Sequence, residues 1–147
     1  MTCPHRARLV VLALVAAIAV GACGTSSTTA RPDGGAVATT GTALPLEVSV
    51  AEAATLRDAG AFVLDVREPD EWAAGHIEGA MLIPLGELAS RAAEVPRDRD
   101  VVVVCRSGNR SAQGRDILLG AGRAAVTSMA GGMSDWAGSG RPVVTGP

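Results

Sequence analysis

The 147-residue sequence contains no lysine and no tyrosine, and its aromatic side chains are one phenylalanine and two tryptophans. Its arginines are scattered along the chain, and its formal net charge is −2. A chain without a basic cluster lacks the electrostatic footprint of a nucleic-acid-binding protein. Because Phe62 is the only other aromatic available to fill an interior, we expect Trp72 and Trp136 to be core anchors.

The amino terminus has the pattern of an export leader. Three basic side chains precede an unbroken apolar run from residue 9 to residue 20. That run is too short to span a bilayer, which takes roughly 20 residues. It ends at Val20-Gly21-Ala22-Cys23, which resembles the lipobox of bacterial lipoproteins. The resemblance implies cleavage before Cys23 and a diacylglycerol on its thiol. A plain signal peptide cut near Ala22, or an uncleaved anchor, is the alternative.

Residues 1–22 are therefore predicted to be a lipoprotein-type signal peptide, and residues 23–45 a flexible tether. The tether is rich in Gly, Ser and Thr and has almost no large apolar side chain. Such a segment cannot bury enough surface to offset the entropy of ordering it. We expect the rest of the chain to be exported and lipid-anchored on the outer face of a bacterial cell membrane, or periplasmic.

Few cysteine and histidine side chains remain after the leader. Cys3 leaves with the signal peptide and Cys23 becomes lipidated, so Cys105 is the only free thiol and no intramolecular disulfide is expected. His76 is the only remaining histidine. One cysteine and one histidine fall short of a zinc site, so we predict no metal. Without a partner, His76 is expected to brace a turn rather than to act as a general base.

Alternating strand and helix patterns indicate an α/β domain. Ser49 and Glu52 form a capping box, which predicts a helix through about Ala59. Val101 to Val104 shows no polar alternation, as expected of a central strand buried on both faces. Further strands or extended segments are predicted at 61–66, 80–83 and 124–127, and helices near Pro69, at 87–94, at 111–119 and after Gly131. The order predicts a central parallel β-sheet with helices on both faces.

Cys105 follows the central strand directly, and its loop leads into a helix. In open α/β sheets ligands bind at the carboxyl ends of the strands. A helix amino terminus offers unpaired N–H groups and about half a positive charge. Arg106 and Arg110 add positive charge, and Gly108 permits backbone angles closed to other residues. All of these favour the nucleophilic thiolate. A buried structural cysteine at a strand end is the alternative.

The loop resembles the active-site loop of the single-domain rhodaneses, which are sulfurtransferases. It runs Cys105-Arg106-Ser107-Gly108-Asn109-Arg110-Ser111. Other motifs of the family match in the right order: Asp65-Val66-Arg67, Glu71-Trp72, Gly75-His76-Ile77, Gly79-Ala80, Ile83-Pro84, Gly131-Gly132-Met133, Trp136 and Gly140-Arg141-Pro142-Val143. Leu82 and Met133 depart from the usual pattern, which puts packing in question before chemistry. The resemblance implies a rhodanese-like three-layer domain over residues 46–147.

The resemblance also implies a mechanism and roles for the loop. Cys105 attacks the outer sulfur of a donor such as thiosulfate and carries it as a persulfide to cyanide or a thiol, with no other cofactor. Substrate-binding residues are expected along the loop: Arg106, Ser107, Gly108, Asn109, Arg110 and Ser111. Asp65, Arg67 and Glu71 are expected to brace it. Arg110 is predicted to pair with Asp65 first and Glu71 second.

Two alternatives stay open. Phosphatases and arsenate reductases share the fold, but tyrosine-phosphatase loops place arginine six positions after cysteine. Here Arg110 is the fifth, so the loop is one residue short for a phosphoryl group. A stronger rival is a membrane-tethered persulfide-relay or sulfur-binding module that hands sulfur to a protein partner. A small polar basin beside the loop would favour a free sulfur-containing anion as donor.

Overall fold

The computed structural model describes residues 43–147. They form a five-stranded parallel sheet in the order β1-β5-β4-β2-β3. The elements along the chain are β1 (Glu47–Val48), α1 (Val50–Asp58), β2 (Phe62–Asp65), α2 (Pro69–Ala74), β3 (Met81–Leu82), α3 (Leu85–Arg91), a 3₁₀ turn (Ala92–Glu94), β4 (Val101–Val104), α4 (Asn109–Gly120), β5 (Val126–Met129) and α5 (Gly132–Gly138). The predicted α/β architecture is confirmed. The predicted leader, lipobox and most of the tether lie outside the described residues.

Strand β4 is central and buried on both faces, as its run of valines predicts. Because side chains alternate along a strand, Val101 and Val103 pack with α3 and α4. Val102 and Val104 pack with α1 and α5. The sheet therefore separates two apolar cores, and β4 is fixed from both sides. Its carboxyl end, where Cys105 follows, is held accordingly.

Helix α4 begins earlier than predicted. The sequence pattern places its start at Ser111, but the helix begins at Asn109, directly after Gly108. Gly108 has φ 105°, a left-handed conformation that glycine adopts without steric cost. The loop proper is thus Cys105 to Gly108, and Arg110 belongs to the first helical turn. This places the Arg110 side chain by helix geometry rather than by a loop.

Two further predictions are corrected. The last strand lies two residues later than predicted, at Val126–Met129, because its pairing with β4 begins at Val126, opposite Val101. Trp136 is buried in the core as expected. Trp72 is only half-buried and lies on α2, stacked on the His76 ring at 3.6 Å between centroids.

Among residues 43–147, no helix is long and apolar enough to cross a membrane.

Candidate active site

The Cys105 thiol lies in a cage built by its own loop and the start of α4. The backbone N–H of Gly108 donates to Sγ at 3.1 Å, and the Ser111 hydroxyl oxygen lies 3.6 Å from Sγ. That hydroxyl also donates to the Gly108 carbonyl at 2.7 Å. In the neutral state the thiol donates to the Ser111 oxygen. Once the sulfur is ionised, the Ser111 proton can turn toward it instead.

The pKa of the Cys105 thiol lies below its ordinary value. Burial raises the pKa, because it penalises the charged form. Hydrogen bonds from the Ser111 hydroxyl and from the backbone N–H groups of Ser111, Ser107 and Gly108 lower it by more. Neutral dipoles held by the fold therefore stabilise the thiolate, as a nest of N–H groups at a helix amino terminus does for an anion.

Helix α5 holds the loop from its far side. Its first-turn N–H groups, at Met133 and Ser134, donate to the carbonyls of Cys105 at 2.7 Å and Arg106 at 3.0 Å. Gly132 comes so close that a Cβ there would overlap the Cys105 oxygen and the Arg106 backbone. Gly132 is thus required by backbone contact with the cysteine loop, whereas a Cβ at Gly131 would overlap the Asp135 side chain. The Met133 departure from the family pattern costs no burial, because this side chain is only 6% exposed.

A buried ion pair lies behind the site at the end of β2. The Asp65 carboxylate is fully buried and accepts the Arg67 Nε at 2.9 Å and Nη2 at 2.6 Å. Arg67 then donates to the carbonyls of Glu71 at 3.1 Å and Gly75 at 2.8 Å. These bonds tie the sheet to α2 and its carboxyl end. Neither side chain bonds to the cysteine loop within residues 43–147, so their predicted bracing of that loop stays a prediction.

Arg110 pairs with Glu71 and not with Asp65, so the first of its two predicted partners was wrong. Two parallel bonds of 2.8 Å join the guanidinium to the Glu71 carboxylate. The pair is half-buried, with side-chain exposures of 29% and 24%. The bond to Arg110 is the main cause that lowers the pKa of Glu71. Because Asp65 is already paired with Arg67, Arg110 on α4 pairs with the Glu71 carboxylate on α2.

An open basin of about 430 Å³ lies beside the loop. Arg106 lines it and is exposed, as expected for a side chain facing substrate. Further lining comes from side chains of α2, α5 and the carboxyl-terminal segment: Glu71, Met133, Ser134 and Val143. Cys105 itself has no accessible surface. The Ser107 and Asn109 side chains are exposed, and within the described residues neither forms a hydrogen bond to the loop.

His76 braces the chain as predicted. Its Nδ1 lies 3.1 Å from the Trp72 carbonyl, and its backbone pairs with Val144 in an antiparallel bridge. It is 7% exposed and stacked on Trp72. Within residues 43–147, no group of three or more His, Cys, Asp or Glu side chains is placed to hold a metal ion.

The family model described as a rhodanese-like domain matches residues 49–139. The chain belongs to the rhodanese-like family. A sulfurtransferase of Allochromatium vinosum is 42% identical over 82 residues, which cover 56% of this chain and 77% of that protein. The thiosulfate sulfurtransferase GlpE of Pseudomonas entomophila is 37% identical over 89 residues, which cover 60% and 82%.

Solved structures agree with the rhodanese-like assignment. The crystal structure of a rhodanese-related protein from Thermoplasma volcanium superposes with a TM-score of 0.63 and 34% identity, over 68% of this chain and 98% of that one. In three other relatives the matched segment covers 41% to 60% of their length. Together these similarities support sulfur transfer as the general activity of this rhodanese-like domain.

Sequence reasoning missed the part of the site contributed by α5. The paired glycines were matched as a family motif, yet their contact with the cysteine loop follows only from the sheet order, which brings the end of β5 next to the end of β4. A signal was present in the sequence: two adjacent glycines after a strand indicate a close backbone approach. What they approach could not be read from the chain.

Proposed function

We propose that this rhodanese-like protein is a sulfurtransferase that moves sulfane sulfur from a small anionic donor, such as thiosulfate, to a thiophilic acceptor through a persulfide on Cys105. The observation that carries the proposal is the cage of N–H and O–H donors that lowers the pKa of a thiol at the end of the central strand. A cysteine that only fills space has no need of a left-handed glycine and a helix amino terminus around its sulfur.

The proposed first half-reaction breaks the S–S bond of thiosulfate. The Cys105 thiolate attacks the outer sulfur, a new S–S bond forms on Sγ, and sulfite leaves with the electron pair of the broken bond. In this proposal the loop N–H groups that stabilise the thiolate also hold the persulfide anion. We assign the attraction of the anionic donor to Arg106, because its guanidinium is exposed in the basin.

The second half-reaction transfers the outer sulfur. A nucleophilic acceptor, cyanide or a thiolate, attacks that sulfur, and the Cys105 thiolate leaves with the electron pair. The sulfur loses no electrons to the protein in the whole cycle, so no redox cofactor is required. We therefore propose that the persulfide is the only covalent intermediate and that the protein works without an additional cofactor or metal.

A second candidate is favoured by one observation. Cys105 has no accessible surface in this conformation, so a donor reaches sulfur only after the side chain or the loop moves. A protein partner that docks on the basin could supply that movement, which makes a persulfide relay to or from a protein the alternative. The partly apolar lining at Met133 and Val143 is compatible with such a partner.

We further propose that the chain is exported and held at the membrane by lipid on Cys23, outside the described residues. Metabolic labelling of the wild type and of Cys23→Ser with a fatty acid tests this directly. Label in the wild type alone supports the lipid anchor, whereas label in neither protein leaves a plain signal peptide or an uncleaved anchor.

Turnover separates the two candidate activities. The full-length chain is given thiosulfate and cyanide, and thiocyanate is measured for the wild type and for Cys105→Ser. We expect thiocyanate from the wild type only, with the parallel double-reciprocal lines of a ping-pong mechanism. If the wild type forms none but accepts sulfur from a persulfidated protein donor, the relay is correct. If it accepts sulfur from neither source, the proposal is wrong.

A further inference from the structure

At the amino ends of the strands, opposite to the end that carries Cys105, lies an arginine that is buried without a counter-charge. Arg123 immediately precedes the segment entering β5, and its residue exposure is 5%. Its Nη2 donates to the Ala92 carbonyl. Its Nε and Nη1 are also buried, and neither has a hydrogen-bond partner within residues 43–147. Three N–H bonds on these two atoms are therefore left without an acceptor.

Leaving such donors unpaired is unfavourable. Buried polar groups in folded proteins are nearly always hydrogen-bonded, and a buried charge is normally paired or bound to a ligand. Burial, and next the charge of Arg97, lower the pKa of the Arg123 guanidinium. The surroundings therefore add positive charge instead of neutralising it. An arginine kept in this position calls for a bound acceptor.

A cavity adjoins this arginine. Its volume is about 210 Å³, and it is lined by Arg123 together with Arg97, Arg99 and the ends of the segments entering β4 and β5. Arg97 is exposed and has no ion-pair partner in the described part of the chain. Arg99 lies 3.8 Å from the Asp98 carboxylate, which neutralises part of its charge. The lining is thus positively charged, and the volume suits a small ion.

We propose that this cavity binds a small oxyanion of the sulfate or phosphate type. Because the Arg123 Nε and Nη1 atoms have almost no accessible surface, the guanidinium must turn toward the cavity before its N–H groups donate to the anion, while Arg97 and Arg99 close the mouth. Guanidinium groups recognise oxyanions well because their donors are planar and fixed in direction. The site lies at the amino ends of β4 and β5, whereas Cys105 follows the carboxyl end of β4. The proposal does not depend on sulfur transfer.

The test is an NMR titration of the ¹⁵N-labelled full-length chain in detergent with inorganic phosphate at constant ionic strength. Backbone amides of residues 122–125 and the Arg123 Nε–H report on the cavity. Amides of residues 106–111 report separately on anions bound at the cysteine loop. Three variants are compared with the wild type: Arg123→Met, Arg97→Gln at the exposed rim, and Arg91→Gln, which removes a half-exposed arginine that is paired with Glu87 and Glu94 outside the cavity lining and serves as the charge-matched control.

We expect saturable shifts at residues 122–125 in the wild type. The dissociation constant should rise at least about tenfold in Arg123→Met and about threefold in Arg97→Gln, and stay unchanged in Arg91→Gln. Arg97→Gln keeps the interior intact and so keeps the test valid if Arg123→Met does not fold. The proposal is overturned if phosphate produces no saturable shift at 122–125, or if Arg91→Gln weakens binding as much as the site variants do.

Discussion

The buried and half-buried arginines have opposite surroundings at the two ends of the parallel strands. At the carboxyl ends of the strands, Arg67 and Arg110 each form an ion pair with a carboxylate. The Cys105 thiol there is held by neutral N–H and O–H groups. At the amino ends of the strands, Arg123 is buried without a carboxylate partner among the described residues and lies beside two further arginines. An arginine near a site is therefore not evidence of one role, because its partner decides whether it braces the chain or is left to bind an anion.

The difference matters for the chemistry. If Arg110 were unpaired, its full charge would hold the thiolate strongly and weaken it as a nucleophile, because nucleophilicity falls as the pKa falls. Pairing with Glu71 neutralises that charge and leaves the N–H dipoles to set the pKa of Cys105. Under the proposed mechanism, this arrangement favours the thiolate and keeps its sulfur reactive.

The largest predicted effect compares the two buried arginines. Arg67→Met leaves the fully buried Asp65 carboxylate without its partner, which should lower the free energy of unfolding by about 3–5 kcal/mol. Arg123→Met removes a charge that has no carboxylate partner, and the Ala92 carbonyl that loses its bond to Arg123 still accepts the Val95 N–H, so the free energy of unfolding should change far less than in Arg67→Met. Urea unfolding of both variants in phosphate-free buffer measures this. Equal destabilisation by the two changes would contradict the comparison.

The next effect concerns the contact between α5 and the cysteine loop. Gly132→Ala places a Cβ against the Cys105 oxygen at a φ of 57°, so we expect a loss of about 1–3 kcal/mol in unfolding free energy and a loss of sulfur transfer. Gly138→Ala in the same helix meets nothing within 4 Å and should be neutral or slightly stabilising. Transfer activity retained in Gly132→Ala would argue against the contact as a determinant of loop geometry.

A smaller effect is expected in the pH dependence of persulfide formation. The rate rises with pH as Cys105 ionises, and Ser111→Ala removes a hydrogen bond that lowers the pKa of this thiol. The rising limb of the pH–rate profile should therefore move to higher pH. At pH values below this limb the rate should be about tenfold lower than in the wild type, and above it the rate should be little changed. Ser107→Ala keeps the Ser107 N–H that contacts sulfur and is the matched control. A rate reduced by one factor at every pH would show that Ser111 does not act through ionisation.

The smallest effect is in acid stability. Arg110 lowers the pKa of Glu71 in the folded state, so the pair stabilises the protein above the unfolded pKa of Glu71 and loses this contribution as the pH falls through the folded value. Because the pair is half-buried, Glu71→Gln should cost about 0.5–1 kcal/mol at neutral pH and nothing in strong acid. Urea unfolding at both pH values tests this. A cost that is independent of pH would mean that packing, not charge, stabilises the pair.

Much of the fold could be predicted from the sequence, since its strongest patterns are local. The valine run from Val101 to Val104 and the Ser49 and Glu52 capping box are found where they were expected, and the capping-box bonds are formed. The position of Cys105 at the carboxyl end of the central strand followed from the same alternation of strands and helices. These features depend only on neighbours along the chain.

What could not be predicted depends on competition between distant groups. Asp65 and Arg67 are two residues apart at the end of a strand, so their side chains lie on one side and pair with each other. That pairing leaves Glu71 for Arg110, a result that sequence spacing does not decide. The burial of Arg123 was equally hidden, because it follows from how the 3₁₀ turn at Ala92 packs against the entry to β5.

The central claim is that Cys105 carries sulfur covalently, and intact mass spectrometry tests it most directly. The full-length chain is incubated with thiosulfate and weighed, alongside Cys105→Ser, which keeps Cys3 and Cys23. The account predicts a gain of one sulfur, about 32 Da, in the wild type alone, removed again by cyanide. A folded wild type with a free Cys105 thiol that gains no sulfur, or an equal gain in Cys105→Ser, would contradict it.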